Sequence, residues 1–80
     1  MRYVTVRIAD SGGRPQCCAK VSIYVHQFLA EGMKGPEYTN SDGSVEFALD
    51  IDQFAEISIY VNGNESVKRG SVRAEYKIIT

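Results

Sequence analysis

The chain has no tryptophan, two prolines, a single histidine, and two cysteines that are neighbours, Cys17 and Cys18. One histidine beside two adjacent cysteines lacks both the CxxC spacing and the four ligands of a structural zinc site. The same pair is no disulfide framework, which fits a reducing compartment better than an oxidising one. A trans peptide holds adjacent Cα atoms ~3.8 Å apart, under the ~4.4 Å floor of an ordinary disulfide, so Cys17 and Cys18 are not expected to bridge without strain. No apolar run approaches the ~20 residues of a membrane-spanning helix. The opening "MRYVTVRIAD" is broken by Arg7 and Asp10 and so carries no signal-peptide core. Together these absences lead to the expectation of a cytoplasmic protein. A net charge of -1 gives no general attraction for nucleic acid or an anionic membrane, and no cofactor motif is present.

What the chain does contain is alternation. Val4, Val6 and Ile8 fall on one side of an extended segment, with Tyr3, Thr5 and Arg7 on the other. From Cys17 a second alternating run places Cys17, Ala19, Val21, Ile23 and Val25 inward and Cys18, Lys20, Ser22, Tyr24 and His26 outward. Val45, Phe47 and Leu49 form a third inward row, Ile57, Ile59 and Val61 a fourth, and Val72, Ala74, Tyr76 and Ile78 a last one. Gly, Pro, Asn and Asp punctuate these runs. Residues 27–38 have no period of two and are expected to form the longest loop, with at most a short edge strand from Glu37 to Thr39. "GNESVKRG" is expected to be a turn. Eighty residues hold one core. The pattern therefore predicts a single all-β domain over residues 1–80, a two-sheet immunoglobulin-like sandwich of about six or seven antiparallel strands.

"TNSDGSVEF" supplies the clearest turn. Gly43 can take the positive φ that the reversal demands, and Asp42 can accept hydrogen bonds from nearby backbone N–H groups. A one-residue slip there would turn Val45, Phe47 and Leu49 into water, so the turn sets a register.

Two stretches carry a likeness to a known family. "SGGRPQCCAKVSIYV" resembles the opening of transthyretin-like (prealbumin-like) sandwiches, which include the carboxypeptidase regulatory-like and Cna-B-type modules, with Gly13, Pro15, Ala19, Val21 and Ile23 in the matching places. "TNSDGSVEFAL" resembles their hairpin, with Thr39, Asp42, Gly43 and Phe47 matching, and "ISIYVNG" resembles their next strand. The likeness spans roughly residues 3–63 and implies a sandwich that serves as a binding or accessory module. The enzyme branch of that group, the hydroxyisourate hydrolases, uses a first-strand histidine, an arginine after the "DG" turn, and a terminal Tyr-Arg-Gly-Ser. Here the first strand offers Tyr3, Thr5 and Arg7, Ser44 follows Gly43, and "KRGS" at Lys68 to Ser71 is followed by a full strand. The resemblance therefore implies a non-catalytic module.

Candidate binding residues follow from the pattern. Tyr24 and Tyr60 point outward on two strands and form one patch if those strands share a sheet, while His26 stands beside Tyr24. Phe28, Leu29 and Met33 are apolar residues of the 27–38 segment that either cap the core or dock a partner. Cys18, outward with Lys20, is a candidate reactive thiol. The expected partner is a protein, with self-association through edge strands as a further route and carbohydrate binding or a divergent hydrolase as alternatives. Charge is also uneven. Acidic residues crowd positions 31–65, whereas Arg2, Arg7, Arg14 and Lys20 precede and Lys68, Arg69, Arg73 and Lys77 follow, giving a dipolar surface if the terminal strands are neighbours.

Overall fold

An extended chain that puts Val4, Val6 and Ile8 on one side can remove them from water by laying that side against a second such row, and this pairing of rows generates the architecture. The computed structural model describes residues 2–27, 32–51 and 54–80. Seven strands run in the order β1 (Arg2–Ala9), β2 (Lys20–His26), β3 (Gly32–Tyr38), β4 (Ser44–Leu49), β5 (Glu56–Val61), β6 (Asn64–Ser71) and β7 (Glu75–Ile79). They form a three-stranded sheet, β4-β1-β7, and a four-stranded sheet, β3-β2-β5-β6. The described residues contain no helix, and the molecule is an all-β two-sheet sandwich.

The core lies between the sheets. Val4, Val6, Ile8, Phe47, Leu49, Tyr76 and Ile78 come from the first sheet, and Val21, Ile23, Val25, Ile57, Ile59 and Val61 from the second. Each fully buried aliphatic side chain here contributes about 1.5–3 kcal/mol relative to exposure. In the second sheet β2 and β5 run antiparallel without a break, matching Val21 to Val61, Ile23 to Ile59 and Val25 to Ile57. In the first, β1 pairs antiparallel with β4 but parallel with β7. That parallel pair departs from the expected antiparallel arrangement. β1 and β7 are separated by most of the chain, so no hairpin dictates their relative direction.

Four local expectations are corrected. Residues 32–38 are a strand, β3, paired with β2 through a register shift between Val21 and Ile23. "NESVKRG" belongs to β6, and the reversal is confined to Asn62 and Gly63, both at positive φ, as a two-residue hairpin turn requires. β2 starts at Lys20, so Cys17, expected in the core, is exposed in a turn with Cys18. Ala74, expected inward, is exposed just before β7, while Val72 is partly buried against the core. In each case the alternation in the sequence runs past the end of the strand, or is missing from a strand that buries little.

The 40–43 turn shows why its residues are needed. Asn40 Oδ1, rather than Asp42, accepts from the backbone N–H groups of Asp42 and Ser44, at 2.9 and 3.2 Å. Gly43 has φ of 73°, and a β-carbon there would lie 2.6 Å from Ile8 O. Its carbonyl accepts from Ile8 N–H at 2.7 Å, so the turn is pressed against the end of β1.

Candidate binding face

The outward rows of β2 and β5 meet. Because cross-strand partners share a face, the register sets Tyr24 opposite Met33 on β3 and Ser58 on β5, Ser22 opposite Tyr60, His26 opposite Glu56, and Lys20 opposite Tyr38. Tyr24 and Tyr60 therefore stand on adjacent strands of one sheet, which is the condition for a shared patch. Met33 and Tyr38 on the edge strand are exposed, while Tyr24, His26 and Tyr60 are half-buried. Phe28 and Leu29 lie outside the described residues.

The centre of this face is braced. The Tyr24 and His26 rings are 4.6 Å apart between centroids and tilted by 54°. His26 Nε2 and Ser58 Oγ are 3.1 Å apart. A histidine beside a serine invites a nucleophile reading, but Ser58 is 2% exposed, beneath the surrounding side chains. The hydrogen bond satisfies a buried hydroxyl and orients the imidazole. At the rim, Arg69 donates to Glu56 across the β5–β6 pair at 2.8 Å. The result is a surface of aromatic bodies with polar tips, one thioether and a charged margin, suited to contact area at low entropic cost.

Tyr38 is not among the sequence candidates, because Gly32, Gly35 and Pro36 give its segment the composition of a loop and its place on the face comes from pairing with Lys20.

The terminal strands β1 and β7 are neighbours, which sets Arg7 opposite Lys77. A groove of about 490 Å³ is lined by Val67, Lys68, Ser71, Arg73, Glu75 and Lys77, among others. Tyr76 at its base is engaged, its hydroxyl donating to Ser71 O at 3.1 Å and accepting from Arg73 N–H at 3.0 Å. Glu75 accepts from Arg7 Nε at 2.9 Å, and that guanidinium holds its carboxyl below the usual range against a smaller opposing effect of desolvation. The groove's cations are surface side chains with no buried polar group aimed at a ligand. Among the described residues no three His, Cys, Asp or Glu side chains gather as a metal site, and no helix is long and apolar enough to cross a membrane.

Comparison of the chain with models of known protein families, and with curated proteins, finds no match.

Proposed function

We propose that this protein is a non-catalytic binding module that engages a protein partner through the outer face of its four-stranded sheet. The observation that carries this reading is the register that gathers Tyr24, Tyr38, Tyr60, His26 and Met33 on one face. Tyrosine and methionine are rigid or adaptable apolar contacts of the kind enriched at interface centres. The reading also draws on the sequence resemblance to transthyretin-like modules, two of whose matching residues, Thr39 and Gly43, hold packed structural positions here.

The face is a better candidate than the sheet edges. β3 carries Lys34 and Pro36 and is bulged against β2, while β6 carries Lys68 and Arg69 and is shifted twice against β5. Charge, proline and bulges are the devices by which edge strands resist pairing with another chain.

The test is capture of partners from the host lysate by tagged wild type and by the double variant Met33→Ser with Tyr38→Ala. Both residues are more than half exposed, at 52% and 61%, so the variant is expected to keep its thermal midpoint. A protein retained by wild type and lost by the folded variant supports the reading. Equal capture by both moves the interface elsewhere, and selective retention on a glycan panel that requires Tyr24 and Tyr60 replaces the protein partner with a carbohydrate.

A further inference from the structure

Cys17 and Cys18 occupy a turn whose two ends are held by one buried side chain. Thr39, 4% exposed, donates its hydroxyl to Gln16 O at 2.6 Å and accepts from Ala19 N–H at 2.9 Å through the same oxygen. Cys18 N–H donates to Thr39 O at 2.9 Å, and Gln16 N–H to Ile8 O at 2.9 Å. Between these fixed ends Cys18 takes φ of 65°, in the left-handed region that a β-carbon makes unfavourable. Glycine is the usual occupant of such a position.

The conformation has a consequence for the sulfurs. In an extended strand neighbouring side chains point to opposite faces, but here both thiols are exposed and their Sγ atoms are 2.7 Å apart. Either sulfur can be the donor in this contact, and the contact, with lesser contributions from desolvation and charge, raises the Cys17 thiol above its ordinary pKa. Adjacent cysteines resist bridging because the backbone must leave its preferred geometry to bring the sulfurs together. In this turn the peptide is trans and the Cα separation stays short, but the positive φ of Cys18 already turns both sulfurs toward each other, so the bridge that forms is a strained one.

We infer that Cys17 and Cys18 form a site of reversible oxidation, which a hydroperoxide converts to a disulfide between the neighbouring residues, with Thr39 positioning the turn in which the sulfurs meet. The thiolate of one cysteine attacks the terminal peroxide oxygen and the O–O bond breaks, giving a sulfenic acid on that cysteine and, with the proton its thiol gave up, an alcohol, or water from hydrogen peroxide. The other thiol then gives up its proton and attacks that sulfur; the S–S bond forms, the S–O bond breaks, and the hydroxide leaves as water with that proton. In sum, two thiols and one hydroperoxide give one disulfide, one alcohol or water, and one further water, two electrons passing from sulfur to oxygen. A disulfide so constrained belongs to the easily reduced kind, and a dithiol reductant restores the pair.

The experiment treats the folded, reduced protein with equimolar hydrogen peroxide and follows intact mass and thiol content. Wild type is expected to lose the mass of two hydrogens without forming dimers, and dithiothreitol restores it. Cys17→Ser and Cys18→Ser, each lacking a resolving thiol, are each expected to gain oxygen on the remaining cysteine, trapped by dimedone. Oxygen addition or intermolecular dimers in wild type, in place of the lost hydrogens, overturns the proposal. Thr39→Val is expected to slow closure about tenfold by freeing the turn, as loss of preorganisation does, while Thr39→Ser keeps the hydroxyl and the rate. Wild type unfolded in guanidinium supplies the unbraced rate independently of whether Thr39→Val folds. Closure as fast in the unfolded chain as in the folded one overturns the positioning role of Thr39.

Discussion

Within the four-stranded sheet, the inner strands β2 and β5 and the outer strands β3 and β6 are built on different principles. β5 buries Ile57, Ser58, Ile59 and Val61, and β2 buries Val21, Ile23 and Val25, whereas β3 buries none of its side chains and β6 covers only Val67 and Gly70 in part. The inner pair keeps its register throughout, while both inner-to-outer pairs are interrupted. A strand buried by its side chains must hold one register, because a slip exposes the whole row. A strand held by backbone hydrogen bonds along one side can absorb an extra residue locally. The difference separates the part of the molecule that supplies stability from the part that frames its surface.

The largest expected effect breaks the inner strand. Ile59→Ala removes a fully buried side chain from the centre of the core and is expected to cost about 2–5 kcal/mol, against less than about 1 kcal/mol for Val67→Ala directly opposite on β6. Urea denaturation of both variants measures the contrast, and equal losses would show that the edge belongs to the core. Gly43→Ala comes next, at about 1–3 kcal/mol, since an alanine must adopt a left-handed φ and its β-carbon would press on Ile8 O at 2.6 Å. Because Gly43 joins β4 to the end of β1, its effect should appear as faster amide exchange at Ile8, whose N–H is bonded to Gly43 O. An unchanged exchange rate there would mean that the turn relaxes away from β1.

This contrast also explains how far the chain could be read in advance. Val21, Ile23, Val25, Ile57, Ile59 and Val61 announce themselves, because burial on one face imposes a period of two. β3, with Gly32, Gly35 and Pro36, has a composition that denotes a loop, and only an edge position tolerates it in a strand. β6, expected to be a turn, is a polar strand without a buried row; only Asn62-Gly63 after an alternating strand, a strong short-range mark of a hairpin, points to a partner strand there. The binding face divides the same way. Tyr24, His26 and Tyr60 follow from alternation, whereas Tyr38 depends on pairing with Lys20 that no local pattern reveals. The cysteine turn has no sequence signature, because the alternation of β2 continues on paper through Cys17, while the positive φ of Cys18, in a turn bracketed by the hydrogen bonds of Thr39, ends the extended chain.

The smallest expected effect sharpens the comparison, because it concerns an edge strand that is held partly by side chains. Arg7 on the central β1 reaches Glu75 on the outer β7 at 2.9 Å, with both side chains about half exposed, at 50% and 44%. The guanidinium's hydrogen bond lowers the Glu75 pKa below its unfolded value, so the pair stabilises the fold above the unfolded value, about 4.3 for glutamate, and that contribution fades as pH falls through the lower folded value. Exposure and salt both reduce it. Glu75→Gln is therefore expected to lower the denaturation midpoint slightly at neutral pH and low ionic strength, with the gap to wild type narrowing in 1 M salt (Debye length ~3 Å) and closing in acid. A gap that persists undiminished in acid would mean that Glu75 acts through packing beside Tyr76 rather than through charge, and that β7 is held by its buried Tyr76 and Ile78 with no electrostatic share.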